Sequence, residues 1–132
     1  MSEQETASED FVREALQAHS DFEMAQLGDL LWMTSSLRDL DLADDARARW
    51  RAEIETCEAK VQAALVALWQ ACGGRSPEAI RQALDAQGDV WSDIDALTLR
   101  FVRGLPGILE NPAIHTPGYI RDMIAEQGRS ER

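Results

Sequence analysis

A chain of 132 residues, 45% apolar and 28% charged, carries enough apolar surface for one cooperative domain and too much for a disordered segment. Its net charge of −11 argues against nucleic acid or an anionic membrane as a direct partner, since both attract dense Lys and Arg. The charge is lopsided: the first 45 residues hold twelve acids against Arg13 and Arg38, a net −10, which leaves −1 for residues 46–132.

Helical signals dominate from the N-terminus onward. Thr6 with Glu9 offers a capping box, and apolar residues then recur at helical spacing from Phe11 to Leu40, with Gly28 as a candidate break. Asp41 is placed to cap a second helix, with Asp44 and Asp45 in its first turn and Gly73-Gly74 just past its end. Within it Trp50, Ile54, Cys57, Val61, Ala64, Leu68 and Ala71 alternate steps of four and three, the mark of one buried face. Val66 and Trp69 fall off that stripe, which predicts that both sides of 63–72 are covered.

Ser76-Pro77-Glu78 combines a cap, a proline at the first helical position and an acid in the first turn, so it starts a third helix. Gly88 is expected to stop it, and Asp89 or Ser92 to start a fourth through Val90, Ile94, Leu97 and Phe101. Three prolines and three glycines between Gly104 and Gly118 exclude regular helix throughout that segment. Thr116-Pro117 then begins a fifth helix through Ile120 and Ile124. The expected fold is all-α: about five helices, a long antiparallel hairpin packed with three shorter helices, in a single domain 1–132 with 1–7 and 128–132 frayed.

Cys57 and Cys72, 15 residues apart on one helix, stand about 22 Å apart along its axis, too far for a disulfide, which needs Cα atoms within roughly 7 Å. Reduced thiols, no secretory leader and no apolar run long enough to span a bilayer place the protein in the cytoplasm.

No phosphate loop, dinucleotide fingerprint, zinc spacing or nucleophile elbow is present, so no catalytic, cofactor or metal residue is assigned. Glu55-x-x-Glu58 has the form of a carboxylate ligand pair in helical Mg²⁺-dependent nucleotide hydrolases. Glu55, however, points away from the Ile54/Val61 stripe, and Glu78 is followed by Arg81 where a second pair needs an acid. Asp93-x-Asp95 lies where acids complement a helix start. His19, on the apolar face of the first helix, is read as an imidazole bonded to Glu23, since His115 is the only second histidine.

Trp32 carries more information. On a continuous first helix Asp10, Glu14, Asp21 and Asp39 line the face opposite Phe11, Leu16, Phe22, Leu30, Met33 and Leu37, and Trp32 projects among those acids with Leu31 beside it. An aromatic body rimmed by charges is the form of an interface anchor that steers a basic partner. The alternative is that Gly28 breaks the helix and turns Trp32 into the core. The preferred reading is therefore a non-catalytic acidic helical interaction module, an adaptor, assembly factor or inhibitor. Asp10, Glu14, Asp21, Leu31, Trp32 and Asp39 are its contact residues, and a basic protein surface is its partner. Its sharper version is a nucleic-acid mimic whose carboxylates occupy the site of phosphates on a nucleic-acid-binding protein. The competing reading is a small Mg²⁺-dependent nucleotide hydrolase using Glu55, Glu58 and Asp93. Either is compatible with a homodimer that buries the outer face of the hairpin.

Overall fold

Helix α1 (Glu9–Asp39) is unbroken for 31 residues, about 45 Å by rise alone, in a computed structural model that describes residues 6–130. Its cap is Ser8, whose hydroxyl accepts from the Phe11 amide at 3.1 Å, with Glu9 and Asp10 supplying negative charge to the first turn. Gly28 does not interrupt it. One glycine costs a helix only about 1 kcal/mol, and burial of Phe22, Leu30, Met33 and Leu37 on one face outweighs that.

Helix α2 (Asp44–Gly74) follows a four-residue turn. Asp41 is not its cap: Ala43 holds that position, with no side-chain bond. Arg47 binds this corner together, its guanidinium donating to the carbonyls of Leu37, Leu40 and Leu42. It thereby satisfies acceptors that the end of α1 leaves open. At the other end Gly73-Gly74 belong to the last turn, and Arg75 takes the left-handed cap at φ 57°. Ala7 holds it there: the Ala7 amide donates to the Arg75 carbonyl at 2.8 Å, and the Arg75 guanidinium donates to the Ala7 carbonyl at 3.1 Å. The two helices are thus tied antiparallel at both ends, and Ala7, expected to fray, is buried.

Helix α3 (Pro77–Gly104) begins as its sequence signals, with the Ser76 hydroxyl accepting from the Ala79 amide at 3.3 Å. It then passes straight through Gly88, so the expected third and fourth helices are one, and the described residues form four α-helices. Gly88 is exposed and its space is open. Ile80, Ala83, Gln87, Ile94, Leu97 and Phe101 make one continuous buried face across it. A full-length third helix, packed against both others, turns the hairpin into a three-helix bundle. It leaves the outer side of 63–72 uncovered: Val66 is 52% and Trp69 66% exposed.

The remaining chain folds back as a short 3₁₀ turn (Ile108–Glu110) and helix α4 (Gly118–Ser130). Ile108, Ile114 and Ile120 join the core cluster built on Phe22, Trp32, Val61, Ile94 and Phe101. A second, smaller cluster of Ala7, Ala15, Leu68, Cys72, Ile80 and Ala83 closes the far end of the bundle. Cys57 and Cys72 are both buried and free, as their spacing requires. Among the described residues no helix is long and apolar enough to cross a membrane. The fraying expected for 1–5 and 131–132 lies outside the described residues.

Candidate interaction surface

The continuous α1 separates the expected contact residues into two groups. Asp10, Glu14, Asp21 and Asp39 are exposed along one side of the helix. Asp10 is paired with Arg13 at 3.1 Å, and Asp21 accepts from the Gln17 amide at 3.0 Å. Leu31 is 66% exposed beside them. Trp32 is not an exposed anchor: only 6% of it is open, and its ring meets Phe101 of α3 edge-on with centroids 5.7 Å apart. The helix does not break to put it there. The buried face of α1 is wider than a two-helix hairpin requires, because α3 and the segment after it cover the flank on which Trp32 lies.

Two further exposed apolar side chains stand with Leu31. Met24 is 73% and Leu27 38% exposed, and the steps 24, 27 and 31 put all three on one face, spanning about two helical turns. This second stripe, offset from the Phe22/Leu30/Met33/Leu37 stripe, was legible in the α1 sequence as a separate 3/4 pattern. On α2, Trp69 stands at the seam with α1, 6.5 Å from the His19 ring. His19 itself is half-buried, with the Gln87 amide nitrogen of α3 3.5 Å from its Nδ1. Glu23 faces solvent and is not its partner.

Beneath this surface lies a polar seam that the sequence did not announce. Asp29 is buried on α1, and burial first, then the neighbouring Asp95 charge, push its carboxyl up to about 6. The Tyr119 hydroxyl of α4 lies close to it and pulls the other way. Burial also raises the Asp95 carboxyl and, together with Asp29, the Tyr119 hydroxyl. One Asp29 oxygen, Trp32 Nε1, Ser36 Oγ and both amide atoms of Gln26 are buried without a hydrogen-bond partner among the described residues.

The carboxylates of the competing reading stay apart. Glu55 and Glu58 are exposed on α2. Asp93 accepts from Lys60 at 3.1 Å, while the Asp95 charge is felt at Asp29. Lys60–Asp93 and Arg100–Glu53, the latter at 2.7 Å, bracket a shallow groove over Cys57 between α2 and α3. Among the described residues no three His, Cys, Asp or Glu side chains gather as a ligand set. His115 is exposed in the loop before α4. Compared with protein-family models, curated proteins and solved structures, the chain matches none.

Proposed function

We propose that the protein is a non-catalytic helical interaction module that docks a basic partner surface onto the outer face of α1. The observation that carries this reading is the exposed stripe Met24, Leu27 and Leu31, with Asp21 within a turn of it and Asp10, Glu14 and Asp39 exposed further along the same helix. Apolar side chains at the centre supply affinity through desolvation, and acids at the rim speed and orient encounter with a cationic partner. Trp32 leaves the contact set; its place is taken by Met24 and Leu27.

The test is a set of variants whose effects separate docking from folding. Leu31→Glu places a charge in the stripe and is expected to abolish capture of the partner from host lysate while leaving the unfolding midpoint nearly unchanged. Asp21→Asn with Glu14→Gln is expected to slow association and weaken its salt dependence. Trp32→Ala is expected to lower stability by about 3–5 kcal/mol, as truncation of a buried aromatic does, and to affect docking only through unfolding. A partner retained by Leu31→Glu, or one with an acidic contact surface, removes this reading.

A further inference from the structure

A cleft of about 260 Å³ opens between α1 and α2 at the hairpin end, floored by Leu37 and Ile54 and walled by Thr34, Arg38, Arg47 and Arg51. Three arginines line it in a chain whose acids outnumber its bases 24 to 13. Acids are at hand: Asp39, Asp41, Asp44 and Asp45 are exposed at the same end of the bundle. Even so, among the described residues none of these three arginines is in an ion pair with a carboxylate. Arg47 is spent on the carbonyls of Leu37, Leu40 and Leu42. Arg38 and Arg51 are exposed, one from each helix, and Thr34 lies one turn before Arg38 on the same wall.

Like charges brought together in a partly enclosed cleft repel one another, and the repulsion is relieved by an anion held between them. Two forked donors from opposite walls suit an oxyanion with several acceptor oxygens, and their two positive charges balance a dianion. The apolar floor offers room beyond a bare anion. We propose that this cleft binds the dianionic phosphoryl group of a small molecule, with Arg38 and Arg51 as the clamp, Thr34 as a neutral donor, and Leu37 and Ile54 receiving the group that bears the phosphate. The site is independent of the α1 stripe.

Calorimetric titration of the whole chain at low ionic strength, with inorganic phosphate, phenyl phosphate and benzoate as probes, tests this. Phenyl phosphate is expected to bind saturably at one site, and Arg38→Gln and Arg51→Gln each to weaken it at least tenfold, with helical circular dichroism unchanged. Phenyl phosphate binding more tightly than inorganic phosphate supports an esterified ligand; equal binding of the two overturns the role given to Leu37 and Ile54. Benzoate binding as tightly as phenyl phosphate overturns the dianion assignment. Absence of saturable binding at ten millimolar probe, or binding indifferent to both substitutions, overturns the site.

Discussion

Asp29 is the residue whose chemistry departs furthest from its type. Its carboxyl, ordinarily at 3.8, is held at about 6, chiefly because burial penalises the charged form. In the folded protein it therefore keeps a proton over a range of pH in which the unfolded chain has released it. Stability from this group is full below about pH 4, declines between there and pH 6, and above that the ionised group is a standing cost on the order of 3 kcal/mol. Asp29→Asn keeps an acceptor for the Tyr119 hydroxyl and removes the charge. It is expected to raise the thermal midpoint at pH 7.5 and to raise it by much less at pH 4.5, where the unfolded chain has begun to release the proton that the folded chain keeps; a gap between variant and parent that fails to widen with pH contradicts the assignment. Net self-repulsion in an acidic chain also weakens stability as pH rises, so the comparison with the variant, and not the parent curve alone, isolates Asp29. The neighbourhood explains why this residue escaped a reading of the sequence. An acid among Leu27, Leu30 and Leu31 is unremarkable on an exposed helix face, and only α3 and α4, arriving from far along the chain, bury it.

At the scale of the element, two mid-helix glycines that look alike in sequence carry opposite consequences. A Cβ on Gly28 would stand 2.8 Å from the Tyr119 hydroxyl, whereas one on Gly88 meets nothing within 4 Å. Gly88→Ala is therefore expected to stabilise by about 0.5–1 kcal/mol through helix propensity alone, which a helix-terminating glycine would not allow. Gly28→Ala is expected to destabilise, because Tyr119 must move off Asp29, and to become stabilising in a Tyr119→Phe background, where the crowding atom is gone. Denaturant midpoints of the two singles and the double give that coupling directly; additivity of Gly28→Ala and Tyr119→Phe would mean that α4 is not seated by this contact. The same pair shows how far the chain could be read in advance. The 3/4 stripe from Trp50 to Leu68 and the Ser76-Pro77 start are local signals, and each placed its helix. Gly88 misled because a glycine weakens a helix by only about 1 kcal/mol, while the continuity of Ile80, Ala83, Gln87 and Ile94 across it is worth several times that. Trp32 misled for a related reason. Which flank of α1 is buried depends on how many helices pack on it, and merging two short helices into α3 supplied the cover that the expected arrangement lacked. The exposure of Leu31 needed no such knowledge, since it lies off the core face under either packing.

For the whole molecule, the N-terminal charge excess becomes a matter of geometry. Among the described residues, Asp10 is the one acid on the outer side of α1 in an ion pair, and that with a neighbour one turn away. Among the described residues, the pairs Lys60–Asp93 and Arg100–Glu53 bridge helices with side chains close to half exposed, and such pairs contribute about 1 kcal/mol or less. Self-repulsion of a −11 chain acts over the Debye length, about 10 Å at 0.1 M salt, and so reaches between successive turns carrying Asp10, Glu14 and Asp21. Screening these repulsions should outweigh screening the two bridges. Sodium chloride raised from roughly 0.02 to 0.5 M is therefore expected to increase the thermal midpoint. Glu14→Gln with Asp21→Asn should raise the low-salt midpoint and flatten the salt response. A midpoint that falls with salt would show that attractive pairs dominate the fold, leaving the acids of α1 compensated within the chain and unable to steer a cationic partner.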